Sequence, residues 1–418
     1  MSAGKANAAS GNSQFAMIVL CLIVFVGMVG FGIILPLFPF YAERFGATPE
    51  VITWTMSAFT LGQFIAAPIW GRMSDAFGRR PVLMLTMLGQ AVGYVALAYA
   101  HSVEMVIASR VWGGLMAGNI SAAFAYVADI TTAEKRAAGL GMVGAALGLG
   151  FTFGPAIGGW LAGAELASAN YEWPALSSAA LSMVAMLGTV FVLPESLAAA
   201  HRKPLWVRTA DSRPRAAARL GGADAARAAL WNLLIVGFIF YVAMSLMESI
   251  FPLWANDVLA MGPRNIGIVF FGLGITQTLV QGGLMGPLTK KAGERAVAIA
   301  SGFFFSIGLV FFALAASIWQ VVPGVVLFGI GIGLFNPSVS SLVSKTAAAD
   351  QRGAVMGVYQ AASALGRVVG PGVSGLVYSK IGMAAPFALG AAIMLPVIGL
   401  LAMLRLAGVD GRAPTAGR

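Results

Sequence analysis

Three ionisable residues stand where this chain is otherwise uncharged. Glu248, in the stretch MSLMESIFPLW, lies within a run from Trp231 to Asn256 that holds no other charge. Arg110 and Arg367 have similarly apolar surroundings. A charged side chain at the centre of a bilayer costs about 2.5–3.5 kcal/mol on insertion scales, which makes each a functional candidate. Desolvation disfavours the charged form of a carboxylate. Glu248 therefore has the chemistry of a group that takes up a proton and returns it when water or a cation arrives. Hydrogen bonding to helix hydroxyls, or snorkelling to an interface, is the plainer alternative. Arg110 reads either as a functional group within its span or as a structural donor to a carbonyl or Gln. Arg367 suits an anionic ligand.

The elements that position these residues follow from composition. The 418 residues are 59% hydrophobic and only 10% charged, far below the quarter or so charged that a soluble domain carries. Stretches of about 20 apolar residues span a bilayer as helices. Twelve are predicted, near 15–40, 50–71, 81–100, 104–128, 137–163, 173–193, 230–256, 265–288, 295–317, 319–344, 353–378 and 383–406. No ten-residue alternation suggests a membrane barrel. The fold class is an all-α membrane protein. The first apolar run is too long for a signal-peptide core and is read as a retained helix. Cys21 lies within it, cannot form an internal disulfide, and reads as a packing residue.

The net charge of +10 is a topology signal. All but five of the 26 Lys and Arg residues fall in segments that share one side when the chain is threaded from a cytoplasmic N-terminus. Arg44, Arg264 and Lys380 lie on the other side, and Arg110 and Arg367 within spans. This positive-inside asymmetry places both termini in the cytoplasm and argues against nucleic acid as a partner. The polar segment 194–228 divides the spans six and six. The domain reading is a tail at 1–14, a six-helix bundle at 15–193, a cytoplasmic linker at 194–228, a second bundle at 229–406 and a tail at 407–418.

The halves echo each other. Gly71 and Gly78 in GRMSDAFGRRP recur as Gly286 and Gly293 in GPLTKKAGER. Gly141, Gly150, Gly154, Pro155, Gly158 and Gly159 recur as Gly357, Gly366, Gly370, Pro371, Ser374 and Gly375. A parallel repeat of this kind is the organisation of transporters whose halves rock about a central site. Glycines at such spacing make a smooth face for close helix packing. Pro155 removes one backbone hydrogen bond and predicts a kink.

These motifs resemble the major facilitator superfamily, in its twelve-span drug:proton antiporter group, over nearly the whole chain. GRMSDAFGRRP resembles the family's loop between helices 2 and 3. Gly141 to Gly159 resembles the antiporter motif of helix 5, and Ser109-Arg110-Val-Trp-Gly-Gly114 that of helix 4. Tetracycline pumps look like the nearest branch, through Ala128-Asp-Ile-Thr-Thr, Leu193-Pro-Glu-Ser196 and Gly30-Phe-Gly-Ile-Ile-Leu-Pro36. The resemblance implies a cytoplasmic latch or gate of Gly71, Asp75, Gly78, Arg79, Arg80 and Asp129, with Arg79 paired to Asp129. A basic loop that only enforces topology is the alternative. Gly71 and Gly78 suit a tight turn and close helix approach. Glu248 and Arg110 are the implied proton-coupling residues.

The chain departs from the tetracycline pumps where it lacks acids in helices 1 and 9. Gly27 stands at the first such position, and 296–317 holds no acid. A broader hydrophobic or cationic substrate range is expected. Candidate cavity residues are Gln63, Asn119, Tyr126, Tyr241, Gln277, Gln281, Asn336, Tyr359, Gln360 and Arg367. A few polar groups on apolar walls are typical of small-molecule sites, although each also serves as helix–helix glue. With His101, His201 and one Cys, no metal cluster is visible. No GxxxxGK[ST] phosphate loop appears, and no nucleophile–His arrangement can be drawn. The expectation is therefore a non-enzyme without cofactor or metal: a proton-coupled multidrug efflux antiporter, associated with antibiotic resistance, monomeric, in the lipid bilayer of a bacterial inner membrane. Its partners are small molecules and protons. An anionic-metabolite transporter using Arg110 and Arg367 is the alternative, and a non-transporting scaffold or receptor a third.

Overall fold

In the computed structural model, residues 2–202, 224–347 and 351–404 are described. Every regular element among them is helical: α1 (Ser2–Ile34), α2 (Phe38–Glu43), α3 (Pro49–Phe77), α4 (Arg79–Ala98), α5 (Val103–Leu115), α6 (Asn119–Ile130), α7 (Ala133–Ala162), α8 (Glu172–Phe191), α9 (Asp224–Leu259), α10 (Pro263–Leu279), α11 (Met285–Leu314), α12 (Ile318–Lys345), α13 (Arg352–Lys380) and α14 (Ala385–Met403). A π-helical turn, Val280–Leu284, joins α10 to α11. In a bilayer no water satisfies backbone groups, so helices that bond internally are the available solution.

Sequence chemistry sets the helix ends. The Ser102 hydroxyl accepts from the Met105 N–H to cap α5. The Asn170 carboxamide accepts from the N–H groups of Glu172 and Trp173 to start α8. Gly78 separates α3 from α4 at φ +109, a conformation that L side chains avoid. Its repeat partner Gly293 breaks α11 at φ +79. Pro155 does not interrupt α7, which continues to Ala162.

Helix occurs at all twelve predicted positions. Among the described residues, nine stretches are long and apolar enough to cross a membrane by themselves. One of them, Pro263–Leu314, has 52 residues. Its contour, about 78 Å at 1.5 Å per residue, is more than twice a hydrocarbon core of about 30 Å, and Gly293 breaks it. α3 and α13 are long enough to span. They carry more polar residues, among them Gln63, Arg72 and Asp75 in α3 and Gln360, Ser363 and Arg367 in α13. Phe191 and Trp319 are 78% and 82% exposed, a waste in water and an asset in lipid.

The chain forms two compact units. The first contains Met1–Val207 with Ser249–Gly274, and the second Arg208–Glu248 with Ile275–Arg418. Residues 249–274, which follow the linker in sequence, thus cluster with the first unit. The tail expected at 1–14 is helical from Ser2 and continuous with the first span. The tail at 407–418 and most of the linker lie outside the described residues.

The first unit is centred on Leu20, Ile23, Leu83, Met87, Tyr126 and Val127, with Cys21 packed against them. In it α7 lies directly on α1. A Cβ added at Gly154 would sit 2.7 Å from the Gly32 Cα and 2.8 Å from the Val29 carbonyl oxygen. The second unit is held by an aromatic ladder. Phe240 of α9 stacks on Phe335 of α12, and Phe240 also meets Phe305 of α11 at 4.8 Å. Phe305 leads on to Phe328, Phe312 and Phe387. That ladder fixes the rotation of α9, and so the face on which Tyr241 and Glu248 lie.

Candidate functional site

The charged motif at the junction of α3 and α4 folds into a closed cluster in the first unit. Arg79 is almost buried, with 9% side-chain exposure. Its Nε donates to Asp129 at 2.9 Å, and its Nη1 donates to Asp75 and, at 3.2 Å, to Ser74. Asp129 also accepts from the Ser196 hydroxyl at 3.0 Å. Arg80 donates from its guanidinium to the carbonyls of Thr189 and Val190, the last turn of α8. Sequence reasoning passed over Glu195. Its two carboxylate oxygens accept the backbone N–H groups of Arg79 (2.8 Å) and Arg80 (3.1 Å) at the start of α4. An anion is favoured at that end of a helix. The signal lay in the Leu193-Pro-Glu-Ser196 motif, which marked the residue without indicating its role.

Two expectations about glycine are corrected. Gly71 lies within α3, not in a turn, and a Cβ there would meet nothing within 4 Å among the described residues. Gly141 is likewise open. The contact stripe of α7 begins at Gly150 and runs through Gly154 and Gly158, all on α1, while Gly159 presses on Pro263.

Arg110, on α5, is 6% exposed. Its guanidinium carbon lies 5.6 Å from the Phe38 ring, 6.0 Å from Phe59 and 5.6 Å from Tyr94. Its Nε is buried without a hydrogen-bond partner. Cation–π attraction from three rings offsets part of the cost of burial, and no carboxylate pairs with it among the described residues.

The second unit holds a polar strip between α9 and α13. On α13, Tyr359, Ser363 and Arg367 are spaced four apart and share a face. On α9, Tyr241 and Glu248 are two turns apart, about 10 Å along the axis. The helices meet at glycine: a Cβ on Gly366 would lie 2.4 Å from the Phe238 carbonyl oxygen, and one on Gly370 2.7 Å from that of Val242. Arg367, although exposed, lies 4.3 Å over the Tyr241 ring. The Tyr241 hydroxyl donates to Asn336 at 2.7 Å. The buried hydroxyls of Tyr359 and Ser363 lie within hydrogen-bonding reach of each other and, among the described residues, of no other partner. Glu248 is half-buried, accepts no hydrogen bond among the described residues, and lies within electrostatic reach of Arg367. Its sequence isolation is thus not isolation in space.

Other predicted cavity residues scatter. Tyr126 is a correction: it is fully buried in the first unit's core, and its hydroxyl donates to the Pro194 carbonyl at 2.7 Å. The Asn119 carboxamide oxygen accepts from the N–H of Ile120. Gln63 and Gln277 are half-buried, and Gln281 and Gln360 are exposed. Ser363 was missed, although its place midway between Tyr359 and Arg367 in a helical register could have found it. No group of His, Cys, Asp or Glu suited to a metal occurs among the described residues.

The same helix contacts recur in both units. Gly150 and Gly366 are 216 positions apart, and the carbonyls they press on, Phe25 and Phe238, are 213 apart. Those offsets make Leu35 and Phe151 the first-unit counterparts of Glu248 and Arg367. The contact therefore packs without charge, and packing does not account for the charges.

Membrane-length helices arranged as two similarly built halves, with ionisable groups inside the spans, define a secondary transporter of the repeat type. The family model of the Major Facilitator Superfamily matches residues 20–285 and 233–417; the chain belongs to that superfamily. It is similar to the tetracycline resistance protein, class C, of Escherichia coli, with 28% identity over 370 residues, 88% of this chain and 90% of that protein. Multidrug resistance protein 2 of Bacillus subtilis (strain 168) is 26% identical over 391 residues, 92% of this chain and 93% of that protein. Among solved structures, the human organic anion transporter MFSD10 (TETRAN) superposes with a TM-score of 0.69 at 26% identity, covering 93% of this chain and 99% of that one.

Proposed function

We propose that this chain is a proton-coupled exporter of small hydrophobic or cationic compounds, residing in a bacterial inner membrane with both termini cytoplasmic. Glu248 carries the reading: a carboxylate within a membrane span, half-buried and without a hydrogen bond among the described residues. Such a group binds a proton or a cation at the same place, which is what exchange requires. The names of the tetracycline and multidrug relatives support export. The cluster of Asp75, Arg79, Arg80, Asp129 and Glu195 would serve as the cytoplasmic latch. The basic residues gathered on one side of the spans support the orientation.

The test is reconstitution in proteoliposomes with an imposed pH gradient. Glu248→Gln is expected to abolish gradient-driven efflux while leaving substrate binding partly intact. Undiminished driven efflux from that variant removes Glu248 from the mechanism.

A second reading, transport of an anion, is favoured by the Arg110 Nε, which is buried without a partner. MFSD10 is described as an organic anion transporter. Arg110→Gln would then abolish uptake of organic anions and leave cation efflux in place. Anion flux that survives the replacement rejects the reading.

A further inference from the structure

Glu248 and Arg367 sit close enough to feel each other's charge, yet neither completes a hydrogen bond or an ion pair among the described residues. Two opposite charges within a span would ordinarily close on one another, since each left open in a low dielectric is expensive. Here the Arg367 guanidinium carbon lies 4.3 Å over the Tyr241 ring, which is itself fixed by the bond from its hydroxyl to Asn336. Among the described residues the five guanidinium N–H donors of Arg367 find no acceptor. The hydroxyls of Tyr359 and Ser363, on the face that carries Arg367, are buried and have only each other among the described residues, which leaves acceptor and donor capacity unused. Buried polar groups normally find partners, and an orphan invites an explanation. The first unit makes the same helix contact with Leu35 and Phe151 in place of the charges. The open pair is thus an addition to a scaffold that packs without it.

We infer that the strip on α9 and α13 is a binding site for zwitterions: Glu248 takes a cationic amine, while Arg367, with the hydroxyls of Tyr359 and Ser363, takes an anionic group such as a carboxylate. A guanidinium recognises a carboxylate through two parallel N–H···O bonds, which a point charge does not provide. The Tyr241 ring supplies an apolar face beside the charges. The spacing of Tyr241 and Glu248 along α9 puts the separation of those charges on the order of 10 Å. This inference rests on the reading of Glu248 as the cation and proton site, and narrows its substrate class. It also joins the cation and anion readings in one molecule.

Matched probes test it. Two rigid zwitterions, 4-(aminomethyl)benzoic acid and 4′-(aminomethyl)biphenyl-4-carboxylic acid, are compared with their methyl esters, which keep only the cation, and their N-acetyl forms, which keep only the anion. Binding to the purified full chain is measured by calorimetry at pH 7. At least one zwitterion is expected to bind tenfold or more tightly than both of its capped forms. Arg367→Gln should erase its advantage over the ester, and Glu248→Gln its advantage over the N-acetyl form. Arg367→Lys, which keeps the charge and loses the planar fork, should retain only part of the first advantage. Equal affinity for zwitterion and ester in the wild-type chain overturns the proposal, whether or not any variant folds. So does a preference that survives both replacements. Failure of the underlying reading is separate: it shows as proton-driven efflux that persists in Glu248→Gln, whichever probe binds.

Discussion

Glu294 pairs with Lys345, and in doing so repeats the Arg79–Asp129 pair with the charges exchanged. Arg79 and Glu294 are 215 positions apart and Asp129 and Lys345 are 216 apart. Each pair joins the start of the third span of its half to the C-terminal end of the fourth. Around both pairs the neighbours also agree. Arg80 donates to the last carbonyls of α8, and Arg295 to those of Leu401 and Ala402 in α14. What the duplication keeps is a contact between opposite charges, not a particular residue at either end.

That exchange predicts how the first pair tolerates change. Removing one partner of a largely buried pair strands the other, at a cost of about 3–5 kcal/mol. Arg79→Ala should therefore lower the melting temperature sharply. Arg79→Glu combined with Asp129→Lys recreates the arrangement of the second unit and should recover part of the loss. A double variant less stable than either single one shows that the surroundings, Asp75 above all, fix the polarity.

Glu195 makes a separate prediction. Its carboxylate receives two N–H groups at the beginning of α4. Glu195→Ala should cost about 1–2 kcal/mol, the range for a lost helix cap. It should also speed amide exchange at Arg79 and Arg80 specifically. Unchanged exchange at those two amides, with stability lost elsewhere, would assign the residue another role.

The glycines of α7 should separate by position. Ala is favoured over Gly in a helix by about 0.8–1 kcal/mol. At the open Gly141 that preference is free to act, so Gly141→Ala should stabilise. At Gly154 the new methyl meets the backbone of Gly32 and Val29, and overpacking of about 1–3 kcal/mol outweighs the gain. Melting temperatures should move in opposite directions. A shared direction contradicts the close seam between α1 and α7.

A pH effect follows from Glu43 at the end of α2. Partial burial, and then the charge of Asp257, raise its carboxyl above the ordinary value of 4.5. Folding thus favours the protonated form. The stabilisation is complete below the unfolded value and is lost as pH rises through the folded one. Glu43→Gln should raise the melting temperature at pH 7.5 and leave it unchanged at pH 4. A gain of equal size at both pH values would place its origin outside this titration.

Much of this was legible before any coordinates. The duplication showed in Gly71–Gly78 and in the glycine–proline register of α7 and α13, and the pairing of Arg79 with Asp129 followed from a motif. The meeting of Glu248 with Arg367 did not show, because the two are on different helices and only the packing of Gly366 and Gly370 against α9 brings them near. Tyr126 misled for a simpler reason. A tyrosine within a span reads the same whether its hydroxyl faces a cavity or, as here, the carbonyl of Pro194. Span counting by hydropathy has the opposite weakness: α13 fails it because of the polar residues that make it interesting.

The paired arginines at positions 80 and 295 have one more implication. Each ties the beginning of the third long helix in its half to the end of the sixth, so each bundle carries its own clasp. Fragments carrying residues 1–202 and 224–418, made together from separate genes, should each retain their clasp.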